Sequence, residues 1–219
     1  MIKSTHVIFS YIFKKSIKMK TIVIATKNKN KVKEFKEIAN QDLNIRFVAA
    51  SELGINFEAE ETGKTFRENA FIKAKTLQNI IRQPVIGEDS GLCVDELDGR
   101  PGIYSARFAG KDAADEENIK KLLDSLKNST NRHAYFICTI CLLIDNQEFY
   151  FEGILRGEIA LKPRGKNGFG YDPVFIPEGF QQTLAELGPD IKNKISHRKK
   201  AIIQLTEFLK SHPSLLKNV

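Results

Sequence analysis

Tryptophan is absent from this 219-residue chain, methionine occurs twice, cysteine three times and proline seven times. Three cysteines are an odd count and too few for a disulfide scaffold, so stability must come from a packed core, and a reducing compartment suits the thiols. No stretch approaches the roughly 20 uninterrupted apolar residues that a membrane-spanning helix needs. Collagen-like, coiled-coil and low-complexity compositions are missing as well. What is there is ordinary globular usage: 42% hydrophobic and 28% charged residues exclude disorder along the whole chain. The length fits one large domain, or two small lobes sharing a core.

The N-terminal segment lacks acid and concentrates base. Residues 1–18, MIKSTHVIFSYIFKKSIK, hold Lys3, Lys14, Lys15 and Lys18 and no Asp or Glu. The whole chain carries 34 basic and 27 acidic residues, net +7; without those four lysines the balance is 30 against 27, or +3. A general polyanion-binding surface is therefore weakly supported, and one local basic pocket is the better expectation. The leader is a poor signal peptide, because its apolar run is broken and no small-residue cleavage site follows. It matches a mitochondrial presequence in being basic, acid-free and Ser-containing, but it has no Arg. The plain reading is an upstream start that adds a disordered or loosely docked arm over 1–18, ahead of a single domain over 19–219.

Strand and helix patterns alternate from Met19 onward. KTIVIATKN (20–28) reads as a buried strand and polar turn. In the next segment Val32, Phe35, Ile38 and Ala39 recur at helical spacing. IRFVAA (45–50) is a second strand. Thr65 with Glu68 forms a capping box that opens a helix burying Phe66, Ala70, Ala74, Leu77 and Ile81. PVIGEDSGLCVDEL (84–97) reads as two short strands pivoting about Glu88–Gly91. A helix over Asp112–Lys127 uses Ile119, Leu122, Leu123 and Leu126. HAYFICTICLLID and EFYFEGILRGEIAL form a central hairpin about a turn at 146–147. A last helix starts near Ser196 and buries Ala201, Ile202, Leu205 and Leu209. The order implies an α/β fold with a mixed sheet. Cys138 and Cys141 make a C-x-x-C, but three residues apart on a strand their thiols face opposite sides, so they read as core and not as a metal or redox pair.

Five segments offer chemistry. The turn Thr26–Lys31 opens a helix, where backbone N–H groups and the helix dipole favour an anion, although a Lys-rich solvated cap has the same composition. Glu88 and Asp89 are an adjacent acid pair between apolar strands. They are costly there unless a cation or hydrogen bonds compensate, and alternation lets only one face a given site. EAEETG (58–63) is an acidic loop, as a ligand set or simply in solvent. GKNGFGYDP presents Phe169 and Tyr171 between glycines, either for a base to stack on or as core. KNKISHRKKA (192–201) gathers Lys192, Lys194, His197 and Arg198 at a helix start, where an anion or keto oxygen would be welcome or Ser196 simply caps.

IATKNKNKVKE, EETGKTFRENAFIKA, DSGLCVDELDGRPGIYSARFAG, GFGYDPVF and ISHRKKA follow one another over about residues 20–203. In that order they resemble the inosine triphosphate pyrophosphatases, which hydrolyse non-canonical purine nucleoside triphosphates. The resemblance implies an elongated mixed sheet flanked by helices, with two lobes around a nucleotide cleft. It implies Asp89 as general base and metal ligand, with Glu61 as a second metal contact. One Mg²⁺ per subunit is implied, with Mn²⁺ able to substitute. Thr26, Lys27, Asn28, Lys29, Asn30, Lys31 and Ser90 are implied as phosphate holders. Phe169, Gly170, Tyr171 and Asp172 would form the base loop, Lys192 a phosphate or base contact, and His197 and Arg198 the readers of a purine 6-keto edge. A cytoplasmic homodimer is implied, with no nucleic-acid or membrane partner. Lys27 and Asn167 depart from the family pattern, which often has Gly at both places, and altered loop detail is expected there. A pyrophosphatase for pyrimidine or other modified nucleotides, or a basic nucleic-acid binder, are the competing readings.

Overall fold

The computed structural model describes residues 20–39 and 45–216; the leader over 1–18 and the expectation placed on it lie outside the described residues. Among the described residues six strands form one sheet in the order β2 (Ile45–Ala49), β1 (Lys20–Ala25), β3 (Val85–Val94), β4 (His133–Ile144), β5 (Gln147–Ile159), β6 (Phe175–Pro177). β1 runs parallel to β2 and β3, and the remaining pairs are antiparallel, so the sheet is mixed. The described residues also form the helices that flank it: α1 (Lys29–Ile38), α2 (Phe66–Ile81), α3 (Asp115–Ser125), α4 (Leu184–Ile195, interrupted at Gly188) and α5 (His197–Ser211).

The three long strands carry two lobes. In the first, Ile86, Cys138, Ile140 and Leu142 pack under α1 and α5 with Phe35, Ile202 and Leu205. On its opposite face Val85, Cys141 and Leu143 pack under α2 with Ala70, Ala74 and Leu77. Farther along the strands, Leu92, Val94, Phe136 and Leu155 join Ile119 and Leu122 of α3 in the second lobe. The two C-x-x-C thiols thus lie in separate cores, and all three cysteines are free. Burial pushes the Cys141 thiol up to about 12.

Three boundaries differ from the sequence reading. Residues 84–97 hold one strand and not two, because every residue from Val85 to Val94 pairs with β4 and the acid pair is matched by cations from elsewhere in the chain. α3 begins at Asp115, where Ala114 turns extended and Glu117 accepts its N–H. The hairpin turns at 145–146, one residue early, with Asp145 at φ 54°. The cap of α2 is also offset: Thr65 accepts the Glu68 N–H, but Glu68 returns to Lys64.

Two glycines set the helix positions. A Cβ at Gly87 would lie 1.9 Å from the Ala70 carbonyl oxygen, and one at Gly153 would lie 2.1 Å from that of His197. α2 and α5 are therefore seated directly on the sheet, where their polar residues reach β3. Gly87→Ala forces backbone against backbone, and overpacking of this kind costs about 3 kcal/mol or more. The expected result is a much lower urea midpoint with an unchanged slope; a midpoint within error of wild type would refute the close approach.

Candidate active site

β1 ends at Ala25 opposite Gly87, while β3 runs on to Val94 with no strand beside it on that side until Cys93 bridges Pro101. A crevice opens at the carboxyl end of β1, the usual place for a ligand in a sheet of this kind. The Thr26–Lys31 turn leaves β1 at that point, and Glu88, Asp89 and Ser90 are the first β3 residues without a β1 neighbour.

Two cavities meet there. One, of about 290 Å³, is lined by Thr26, Lys27, Asn28, Lys31, Glu61, Lys73, Asp89 and Ser90. The other, of about 130 Å³, is lined by Leu92, Phe136, Phe169, Gly170, Tyr171, Asp172, Lys192, His197 and Arg198. Asn28, Lys31, Ser90 and Ala106 border both, so the two form one cleft with a polar chamber and an aromatic slot.

Charge in the polar chamber centres on Lys73. Its ammonium lies 2.7 Å from both Glu61 and Asp89 and bonds the Glu88 carbonyl oxygen at 3.2 Å. Burial alone would lower its pKa, but the two carboxylates outweigh it and hold the ammonium above its ordinary value. Glu61 is held below the usual range by Lys73 and Arg107 in spite of its burial. Asp89 goes the other way: burial raises its carboxyl although Lys73 and Lys31 oppose the rise. Asp89 Oδ1 accepts from Lys73, whereas Oδ2 is buried with no hydrogen-bond partner.

Among the described residues no group of three or more His, Cys, Asp and Glu forms a metal cage. Mg²⁺ does not require one, since it takes one or two carboxylates and completes its octahedron with water and phosphate. The free Asp89 Oδ2 fits that demand. Glu61 fits it only by yielding an oxygen now held by Lys73 or Arg107.

The turn is less open than its composition implies. Thr26 accepts the Asn28 N–H, and Asn28 caps α1 by accepting from Asn30 and Lys31, so three N–H groups expected to face an anion are already satisfied. Lys29 and Asn30 line neither cavity. Lys27 borders the polar chamber and Asn167 bonds the Ala185 carbonyl oxygen; neither has a positive φ, so side chains are accommodated at both places.

Behind the slot stands a buried chain of alternating charge. Arg198 donates from Nε and Nη2 to Glu88, from Nη2 also to Ser90 and from Nη1 to Glu34. Of its five N–H donors this leaves one on Nη1. Against its burial, Arg198 and Lys31 hold Glu88 far below the carboxylate range. Lys192 joins Glu34 at 2.8 Å and also pairs with Asp172, whose carboxyl is raised by burial against that pairing. Lys192 stands 4.4 Å from the Phe169 ring centroid. His197 stacks on Phe136 at 4.8 Å, with Nδ1 buried and without a partner.

Lys73, Glu34 and Arg107 were not singled out from the sequence. For the first two a signal existed: Lys73 lies on the Ala70–Ala74–Leu77 stripe and Glu34 beside Phe35, charged residues on apolar helix faces.

Burial, with Arg198 and Lys192 nearby, drives His197 well below its ordinary value, so it is neutral in the folded chain. Unfolded, it takes up a proton below about pH 6.5. The folded form binds fewer protons there, so this group's stabilisation is present above that pH and is lost on acidification, by at most about 1.4 kcal/mol per pH unit for one proton. His197→Asn should therefore lessen the fall of the thermal midpoint between pH 7.5 and 5.5. An unchanged fall would contradict the assignment.

The profile of the Ham1 family matches residues 22–208. The chain belongs to the Ham1 family. Its relatives include the dITP/XTP pyrophosphatase of Clostridium tetani, 45% identical over 198 residues, which covers 89% of this chain and 98% of that protein. That of Bacillus subtilis is 46% identical over 197 residues, covering 88% and 98%. Among solved structures, a HAM1 protein from Coxiella burnetii matches with a TM-score of 0.82 at 42% identity, covering 88% of this chain and all of the other. The Staphylococcus aureus Ham1 protein matches at 0.80 and 44% identity, with the same coverage. This Ham1-family chain therefore shares its mixed α/β architecture with solved relatives over nearly their full length.

Proposed function

We propose that this chain hydrolyses the α–β anhydride of non-canonical purine nucleoside triphosphates (ITP, dITP and XTP) to the monophosphate and pyrophosphate, cleansing the nucleotide pool. The observation that carries the reading is the continuity of the cleft: a polar chamber, where lysines face carboxylates and one carboxylate oxygen is unpartnered, opens into an aromatic slot edged by buried donors. Relatives named dITP/XTP pyrophosphatases, alike over almost the whole chain, support it.

In this reading the triphosphate lies along Lys31, Lys73 and Ser90, and the base enters beside Phe169. Asp89 Oδ2 accepts the proton of the attacking water as its oxygen bonds the α-phosphorus; the α–β bridge breaks and pyrophosphate leaves. Mg²⁺, or Mn²⁺ in its place, would be held by Asp89 with Glu61 and would neutralise phosphate oxygens when bound. Lys73 is already placed to do part of that work.

Selection rests on donors. Neutral His197 offers one N–H and Arg198 one more, which a 6-keto oxygen accepts and the adenine amino group does not. A site built around such hydrogen bonds rejects the wrong partner by orders of magnitude. Free buried thiols suit a cytoplasmic setting. Half-buried Tyr135, Ile137 and Ile154 on β4 and β5 are the surface that a homodimer would cover. The test is pyrophosphate release with ITP, dITP and XTP beside ATP and GTP, with and without Mg²⁺. Metal-dependent formation of IMP and pyrophosphate from ITP is expected; IDP with orthophosphate would overturn the cleavage site.

A further inference from the structure

The base loop has empty space on both sides. In front of Phe169 lies the slot, and behind the same segment a groove of about 640 Å³ separates it from α3, lined by Ile119, Leu123, Gly165, Lys166 and Phe169. Packing alone does not hold the loop forward. Its fastenings are polar: Asp172 accepts the Phe169 N–H at 2.9 Å, and the Tyr171 hydroxyl donates to the Ser105 carbonyl oxygen at 2.9 Å. The first ties the residue before the apex to the residue after it, the second acts beyond the apex, and on the N-terminal arm Asn167 donates to the Ala185 carbonyl oxygen, so none of them holds the apex itself to α3. At its apex, where Gly170 turns through φ +60°, one contact crosses the gap: the Gly170 N–H donates to Asp115 Oδ2 at 2.6 Å.

Asp115 is the first residue of α3, and its side chain borders both the slot and the groove. We propose that Asp115 is a positioning residue for base recognition. Its carboxylate pins the loop apex and thereby keeps the Phe169 ring against Lys192 and Arg198, 4.4 and 5.8 Å from the ring centroid. Without it the apex can retreat into the groove, and the slot loses the face on which the base lies. The inference rests on the proposed purine triphosphate site, but Asp115 touches neither phosphate nor base. Its loss acts on ground-state binding of the base more than on the chemical step.

The test compares KM and kcat for ITP in Asp115→Ala, Asp115→Asn and Glu117→Ala. Glu117 caps the same helix end by accepting the Ala114 N–H and touches no part of the loop. Losing a charge-assisted hydrogen bond at a positioning residue predicts a KM about five- to tenfold higher in Asp115→Ala, with kcat within about twofold. Asp115→Asn keeps an oxygen acceptor of the same reach and should return KM to within about threefold of wild type. A KM unchanged in Asp115→Ala, or raised equally in Glu117→Ala through fraying of α3, would overturn the proposal while leaving the pyrophosphatase reading intact. A wild-type chain that turns over no triphosphate would refute that reading instead.

Discussion

Asp89→Asn is expected to lower kcat for ITP by about 10²- to 10⁴-fold, the range attributed to a positioned general base. The substitution keeps the shape of the side chain and the β3 ladder but removes the acceptor at Oδ2, an atom that forms no hydrogen bond within the folded chain. Burial raises the Asp89 carboxyl, so the folded state penalises its charge and protonation of this group favours folding. That contribution is full below the ordinary aspartate value and disappears as pH rises through the raised one. At neutral pH the Asn variant should then be at least as stable as wild type by circular dichroism. In wild type kcat/KM should show an acid limb, with activity rising as the carboxyl deprotonates. In the Asn variant that limb should vanish, and excess Mg²⁺ should not restore kcat, because the proton acceptor itself is missing. Turnover within about fivefold of wild type would remove Asp89 from the mechanism.

How much of this is legible in the chain depends on the range of the physics involved. Caps are local, and Asn28, Thr65 and Ser196 announce α1, α2 and α5 because each accepts an N–H two or three residues ahead. The opposed thiols of Cys138 and Cys141 follow from strand alternation alone. β3 reads as two strands in the sequence because its acids are costly in the interior when only neighbours are considered. Their partners are distant: Lys73 lies 16 residues before Asp89, and Arg198 lies 110 residues after Glu88. Alternation did separate the pair correctly, with Asp89 beside Lys73 and Glu88 beside Arg198. The turn presents fewer of its residues to the cleft than its composition implies for a related reason. Six consecutive polar residues cannot all face one cleft, because a helix rotates each by about 100° from the last. Lys29 and Asn30 are carried away from the cleft that Asn28 and Lys31 border. For Arg198 a motif-based reading as a base contact missed that most of its donors serve Glu88, Glu34 and Ser90.

That allocation makes Arg198→Met the substitution with the largest expected effect on stability. Arg198 is among the largest fully buried side chains, and it joins Glu88 to Glu34. Breaking a buried ion network by removing one partner costs about 3–5 kcal/mol, because an uncompensated charge stays behind. For a chain of this size each kcal/mol lowers the thermal midpoint by about 2–4 °C, so a fall of about 10 °C is expected. The pH dependence should also reverse at one residue. In wild type Glu88 is held far below the usual range, so its stabilisation is full above the ordinary glutamate value and is lost as pH falls below that value through the depressed one. Without the guanidinium, Lys31 is the remaining close cation against burial and the same carboxyl rises from its wild-type position, so acid should protonate it more readily and recover part of the lost stability in Arg198→Met. Adding Glu88→Gln removes the stranded charge and should recover most of the loss at neutral pH. The double variant is then more stable than the single one, a sign of coupling that independent packing defects do not produce. If Glu88→Gln instead adds its own destabilisation to that of Arg198→Met, the pair is not coupled, and Arg198 is held by packing and not by charge.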